Sequence, residues 1–350
     1  MRKLPPYPIF FPDATRGMVR GLDNQDTEKT GTPGVLVNTY HLWRMIPEEQ
    51  MKTMGGVKKL MNYQGAVISD SGGFQVMSIV KKGGGKVRDE GVWFKPENSP
   101  RILLTPEISI RYQMAMQTDL MVVLDDFTTP TANMWEARET VGRTIEWAKR
   151  SKDEYERIVK EEKISEADRP HLIGVVQGGY DQKLRKECAE RLIEIGFDGL
   201  GYGGWPLTPD GEFDYESART IADAAPEGYL LYGLGIGKPE DIVGCSRLGY
   251  NVYDCVLPTR DARHGRLYKW TEGVNNLEGK EFYEYYVPAK AKHKNDMSSV
   301  DKNCSCQLCS NYSRAYLHHL FKVGDSLAGR LATIHNMTFY GELMKKLKSA

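Results

Sequence analysis

The sequence predicts an α/β protein built on a (β/α)8 TIM barrel, with an inserted β-hairpin and a C-terminal zinc-binding subdomain. Three observations carry that prediction. Eight short apolar, β-branched segments recur along 350 residues, stretches with helical spacing separate them, and most of the segments end in a small or polar residue. The segments are YPIFF (7–11), GVLVN (34–38), AVISD (66–70), LMVVLD (120–125), LIGVVQ (172–177), GLGYGG (199–204), YLLYGLG (229–235) and NVYDCV (251–256). Between them, 136–163, 181–195 and 239–248 have the period of amphipathic helices. The length suits a closed barrel. A doubly wound open sheet is the alternative, since periodicity does not report closure.

Residues 76–105, with GGG at 83–85 and the apolar pieces VWF and ILL, read as a β-hairpin excursion after the third strand. After the eighth strand the alternation stops. The domain division expected is a catalytic barrel over 1–270 with its insertion at 76–105, and a zinc-binding subdomain with a C-terminal helix over 271–350.

Composition limits the function classes. Hydrophobic residues at 40% and charged residues at 27% suit a globular chain and exclude disorder, collagen and coiled coil. No uncharged apolar run reaches about 18 residues, and MRKLPPYPIF lacks the apolar stretch of a secretion signal. A soluble, cytoplasmic protein without membrane contact is expected. The 47 basic residues balance the 47 acidic ones, so any attraction to nucleic acid must come from a local patch.

In a barrel of this class the loops at the carboxyl ends of the strands build the active site. On that reading Asn38, Asp70, Asp125, Gln177, Gly203, Gly204 and Asp254 converge on one mouth. Two carboxylates facing one cavity can serve as nucleophile and general acid/base at an anomeric carbon. The third, Asp125, can accept from an exocyclic amine and a ring N–H, while Gln177 and the Gly204 N–H donate to a carbonyl. That pattern complements the Watson–Crick edge of guanine. Phe74 and Tyr232 are the candidate stacking faces. The loop after Asp254 carries Arg260, Arg263, Arg266 and Lys269 against Asp261, a net +3 that suits a phosphate backbone.

CSCQLC (304–309) supplies three thiolates within six residues, too close together to be a disulfide framework in a reducing compartment. With one imidazole they would close a tetrahedral zinc site with no open position, which makes the ion structural. His318, His319 and His335 are the candidates for the fourth ligand.

SDSGGFQV (69–76), VVQGG (175–179), GYGG (201–204), GIGKPEDI (235–242), DCVLPTR (254–260), CSCQLC and RLATIHNMTFYGELM, with NTYHL (38–42) and LLTPEISI (103–110), resemble the tRNA-guanine transglycosylase (queuine tRNA-ribosyltransferase) family. The motifs come in the family's order over nearly the whole chain, as in a bacterial-type member with a shortened N-terminus. The resemblance implies exchange of the wobble guanine of GUN-anticodon tRNAs for a 7-deazaguanine, most simply 7-aminomethyl-7-deazaguanine, in queuosine biosynthesis. Direct salvage of queuine, a noncatalytic tRNA-binding subunit and a DNA-acting deazaguanine transglycosylase are the alternatives. By the same resemblance Asp254 is the nucleophile and Asp70 the general acid/base. Ser71, Phe74, Asp125, Gln177, Gly204 and Tyr232 are expected to bind the base, and Lys238, Asp241, Arg260 and Arg263 the anticodon. Cys304, Cys306, Cys309 and His335 match the ligands of one structural Zn2+. A homodimer through the zinc region is implied, near Tyr312, Tyr316 and His319. The chain departs from the family at Asp126, Phe127, Trp205 and Tyr232; the last three are bulky changes expected to line the pocket for the 7-substituent. Lacking a further RNA-binding domain after the zinc segment, it is not expected to be of the archaeosine type.

Overall fold

The eight expected segments form the eight strands of one parallel barrel. The structure is a computed structural model and describes residues 1–96, 100–273, 276–277 and 279–349. Residues 97–99 of the expected insertion, and 274, 275, 278 and 350 of the expected subdomain, lie outside that set. The barrel strands are β1 (Ile9–Pro12), β2 (Gly34–Val37), β3 (Ala66–Ser69), β4 (Leu120–Val122), β5 (His171–Val176), β6 (Gly199–Tyr202), β7 (Leu230–Gly233) and β8 (Val252–Cys255). Each pairs in parallel with its sequence neighbours from β2 round to β8, and β8 pairs with β1 in the register Ile9 to Val252. The ring closes between β1 and β2 just past the strands. There Asp13 bridges Leu36, the Ala14 N–H donates to the Leu36 carbonyl at 2.7 Å, and the Asn38 N–H to that of Thr15 at 3.2 Å. Closure excludes the open-sheet alternative.

Side chains alternate across each strand. Ile9, Phe11, Leu36, Ile68, Val122, Ile173, Val175 and Tyr232 fill the barrel interior as a packed layer, whereas Phe10, Met121, Leu172, Leu200 and Tyr253 face outward under the helices. The helix expected at 136–163 runs Met134–Glu161, opened by an Asn133–Glu136 capping box. Those expected at 181–195 and 239–248 run Gln182–Ile195 and Pro239–Arg247. Among the described residues no helix is long and apolar enough to cross a membrane.

The insertion is larger than a hairpin. After β3 comes a helix, Gly73–Ile79, and one π-turn, then a three-stranded antiparallel sheet of Gly85–Arg88, Gly91–Phe94 and Ile102–Leu104. VWF and ILL fall on two of these strands, and the one the sequence does not show is Gly85–Arg88, whose single apolar residue Val87 makes no run. The Asp89–Glu90 turn is tied to the helix 134–161: the Trp147 indole and Arg150 both donate to the Asp89 carbonyl at 2.8 Å.

Beyond β8, Leu267–Trp270 pairs antiparallel with Tyr283–Tyr286, followed by helices Gln307–Asn311, Arg314–Val323 and Ser326–Ser349. The last helix packs along the barrel. Tyr340 donates to the Gly237 carbonyl at 2.5 Å and lies against Phe10, Arg330 grips Asp26 through two bonds of 2.6 and 2.7 Å, and Asn336 donates to the Pro258 and Arg266 carbonyls at 3.0 Å.

Candidate functional site

A cavity of about 590 Å³ opens at the carboxyl ends of the barrel strands, lined by Asp70, Ser71, Phe74, Asp125, Gly204, Lys238, Asp241, Asp254 and Arg260 among others. Its position follows from the fold, since the strands deliver residues at or just past their ends to this mouth, among them Asp13, Asn38, Asp70, Gly203, Leu234 and Asp254.

Asp70 follows β3 and is held on three sides. Its Oδ1 accepts the Thr39 and Gly72 N–H groups, both at 3.0 Å, and its Oδ2 accepts the Asn38 amide. Asn38 cannot turn round, because its Oδ1 accepts the His41 N–H at 2.9 Å at the start of the next helix. Gly72 at φ +78° turns its N–H back to Asp70, and any Cβ there would meet the Tyr40 backbone at 2.8 Å. Burial pushes the Asp70 carboxyl up to about 7 against these hydrogen bonds, with the Asp254 charge adding to the rise.

Asp254 projects from β8. Its Oδ1 accepts the Gly235 N–H at 3.0 Å, and burial raises its pKa to about 6, with Asp13 raising it further. Asp125 is also raised to about 6 by burial and by the neighbouring Asp126, against a 2.6 Å hydrogen bond from the Gln177 amide. Gln177 is fully buried and is fixed in turn by the Thr128 N–H, 3.0 Å from its Oε1. Three carboxyls of lifted pKa therefore face one cavity, each orienting contact coming from backbone or a neutral amide. Two of them can divide proton and nucleophile duties while the third reads a base edge.

Phe74 stands at the mouth, 58% exposed, edge-on to Phe127 with ring centroids 5.9 Å apart. Trp205 and Leu234 complete that wall. Arg260 and Lys238 supply positive charge at the rim, and the expected basic loop is a short helix, Leu257–Arg263. Three expected residues are not on the cavity wall. Gln177, wholly buried, reaches the site through its bond to Asp125. Arg263 sits beside the cavity, half-buried, its pKa lowered by burial and by Arg20 and Arg260. Tyr232, expected to stack on the base, is wholly buried in the barrel interior with its hydroxyl beside Asp254. It is one residue short of the strand end, so the side chain on the same face that reaches the mouth is Leu234, just past the strand. Asp126 also turns away, buried in an ion pair with Arg143.

Near the final helix Cys304, Cys306, Cys309 and His335 bring their ligand atoms within 4.8 Å of one another, a set able to hold a metal ion. The His335 Nδ1 faces the three sulfurs at 3.7, 3.5 and 3.3 Å, while its Nε2 lies 2.7 Å from the Tyr268 carbonyl. That second contact keeps the proton on Nε2 and frees Nδ1 for a metal. Geometry thus chooses among the three histidines. His318 instead contacts the Pro288 carbonyl at 2.8 Å, and His319 is exposed.

The family profile described as "Queuine tRNA-ribosyltransferase" matches residues 5–350. The chain belongs to this family. Relatives named queuine tRNA-ribosyltransferase include those of Psychromonas ingrahamii, 37% identical over 345 residues, and of Shewanella putrefaciens, 38% identical over 346 residues. Each alignment covers 98% of this chain and 86% of the relative. The fold and the Cys3His cluster described above agree with that membership.

Sequence reasoning missed the residues that hold the acids. Thr39 and Gly235 act through backbone N–H groups, which every residue but proline possesses. A hint for Gly235 lies in the GLGIG run, where it adopts φ +70°. Asp13, on the cavity wall just past β1, escaped notice because it falls two residues beyond the apolar run.

Proposed function

We propose that the protein is a tRNA-guanine transglycosylase that replaces the wobble guanine of GUN-anticodon tRNAs with 7-aminomethyl-7-deazaguanine, through a covalent bond from Asp254 to the ribose. The observation that carries this reading is the pairing of Asp254 and Asp70 in one cavity with Asp125 and Gln177 beside them. Family membership supports the tRNA, the guanine-type base and the queuosine pathway.

In this mechanism Asp254, oriented by the Gly235 N–H, attacks C1′ of the ribose as the bond to guanine breaks through an oxocarbenium-like transition state. Guanine leaves with a proton given to its ring by the protonated Asp70 carboxyl, which is left ionised. The incoming base docks against Asp125, Gln177, Ser71 and the Gly204 N–H, with Phe74 on its face. Asp70 takes its ring proton as the new nitrogen–carbon bond displaces Asp254. The covalent intermediate outlives guanine release, so ping-pong kinetics are expected. Lys238, Asp241, Arg260 and Arg263 hold the flanking nucleotides.

The metal is proposed to be one structural zinc ion. Zinc at about 2.3 Å from sulfur and 2.0–2.1 Å from nitrogen, at tetrahedral angles, needs sulfur–nitrogen edges of about 3.6 Å, which the observed 3.3–3.7 Å bracket. Four protein ligands leave no open position, so the ion would fix the subdomain. A cytoplasmic homodimer through this region is proposed as well, on the stacked pair Tyr312 and Tyr316, 5.2 Å apart, with exposed Tyr316 and His319. The division into a barrel over 1–270 and a subdomain over 271–350 is part of the same proposal.

Release of labelled guanine from the wobble position tests the function, with guanine, 7-aminomethyl-7-deazaguanine, 7-cyano-7-deazaguanine and queuine offered separately. Release with one preferred deazaguanine is expected; no release from metal-replete protein with any base would overturn the reading. Phe127 and Trp205 narrow the wall where the 7-substituent would sit. Trp205→Ala is expected to raise kcat/KM for queuine relative to 7-aminomethyl-7-deazaguanine by about 10-fold, the scale of relieving a steric clash in an apolar pocket. An unchanged ratio would remove Trp205 from specificity.

The raised acids set a pH dependence. Asp254 must be ionised to attack, and in the second half-reaction Asp70 must be ionised to accept a proton, so kcat/KM for the incoming base is expected to rise with pH through about 7 and level above, while kcat/KM for tRNA peaks between about 6 and 7. For stability the sign is opposite. A carboxyl raised on folding keeps its proton longer in the native state, so stability is lost as pH climbs from the ordinary carboxylate range to about 6. Asp125→Asn can keep the Gln177 contact through its carbonyl oxygen. It is expected to raise Tm at pH 7.5 by about 2 °C, with no gain at pH 4, as read by thermal scans at both pH values.

A further inference from the structure

The three-stranded sheet of the insertion has two unlike faces. Val87, Val92, Phe94 and Leu104 turn inward and pack with Val76, Leu124 and Trp147. The strand alternation sends Lys86, Arg88, Trp93, Lys95 and Arg101 to the other side, and all four cations are exposed. Lys86 is the direct cross-strand partner of Trp93, and the Lys95 N–H continues the ladder to the Gly84 carbonyl at 2.7 Å. Among the described residues none of these four cations forms an ion pair within 4.0 Å. Of the two acids of the adjoining turn, Asp89 pairs with Arg143 at 3.3 Å, while Glu90 stays on this face, accepting from the Trp93 indole at 3.0 Å beside Arg88, so four cations face one acid. An interior-type pattern on one face and cations around an indole on the other is more than a strand needs for solubility.

We propose that this outer face is a second RNA-binding surface, which holds the phosphate backbone of the substrate tRNA outside its anticodon loop. Three observations argue for RNA as the occupant. The charge is of the right sign and clusters on one face of a chain whose net charge is zero, so it cannot be a by-product of a basic composition. The face surrounds an aromatic plane with donors, the combination that contacts phosphates and ribose or base faces together. It is also continuous with the candidate site: the helix 73–79, which carries Phe74 of the cavity rim in its first turn, runs about 10 Å before the chain turns into the sheet. The far side of the turn is anchored by Arg143, which also holds Asp126 beside Asp125. A bound RNA whose wobble base enters the cavity would pass the sheet with its stem. This inference rests on the function proposed above.

The test is Lys86→Glu with Arg88→Glu, and separately Lys95→Gln with Arg101→Gln, in the metal-replete full chain. Binding of unmodified GUN-anticodon tRNA is followed across salt concentrations, alongside guanine exchange at saturating tRNA. None of these residues touches the cavity. The charge-reversed pair is expected to weaken tRNA binding at least 10-fold and flatten the salt dependence of log K by about 0.7–0.9 for each phosphate left without its cation. At saturation, kcat should stay unchanged. The neutralised pair should show a smaller shift in the same direction. Wild-type affinity and salt slope in both folded variants, with exchange intact, would overturn the surface and leave the transglycosylase reading standing. Wild-type protein that binds tRNA through this face but exchanges no base would overturn only the reading. No tRNA binding by the wild type would overturn both.

Discussion

Asp254→Asn is expected to lower guanine exchange by at least 10³-fold, about 4 kcal/mol of transition-state stabilisation, while leaving tRNA binding within about 3-fold of the wild type. The asparagine can keep the 3.0 Å contact, its carbonyl oxygen accepting from the Gly235 N–H, so the loop after β7 has no reason to move. What is lost is the negative charge and the lone pair that would bond to C1′. An amide cannot form the ester-like link on which the proposed reaction depends. The measurement pairs a single-turnover exchange assay with a denaturing gel of enzyme and tRNA in the absence of acceptor base. The wild type should give a slow-migrating covalent species and the variant none. Full exchange by the variant would mean that another group attacks the ribose.

Removing the metal is expected to have the second largest effect, and to reach the helix Leu257–Arg263 proposed to hold tRNA. Cys306→Ala, or a strong chelator, leaves two thiolates and His335 as an incomplete set. Structural zinc sites contribute folding energy outright, so residues 301–323 should lose protection. The damage should spread further. His335 holds the Tyr268 carbonyl, and its neighbour Asn336 accepts from the Tyr268 N–H and donates to Pro258 and Arg266, the backbone that carries Arg260 and Arg263. tRNA affinity is expected to fall about 10-fold or more, a loss of about 1.4 kcal/mol or above, while the barrel strands keep their protection. Hydrogen exchange with and without chelator checks both statements. Unchanged protection around 257–270 would confine the metal's influence to its own subdomain.

Much of the fold was legible because parallel barrel strands are buried on both sides and therefore appear as unbroken apolar runs. VVLD, GVVQ and VYDC each also announce a polar residue at or near their end, and those residues stand at the mouth. Closure was not legible, because it depends on a bridge to Leu36 from Asp13, which lies past the end of the first apolar run. Tyr232 was misplaced for a related reason: strand alternation gives a side chain its face but not its depth. At the cavity, side-chain chemistry could be inferred from residue type. The N–H groups of Thr39, Gly72 and Gly235, which set the acids' orientation, have no signature of their own. The fourth metal ligand depended on a contact between residues 268 and 335 that no spacing rule anticipates.

The pairing of β1 with β8, and the clasp of Arg330 on Asp26, tie early residues to late ones. A ribosome adding about 5–20 residues per second delivers Val252 roughly 12–50 s after Ile9. For that interval the first strand has one sheet edge without its mate and the Asp26 carboxylate waits for its guanidinium. The helix bearing Arg260 is translated before the Asn336 that secures it. A nascent chain halted anywhere before residue 336 would thus carry a nearly finished barrel whose Arg260 helix had yet to be secured.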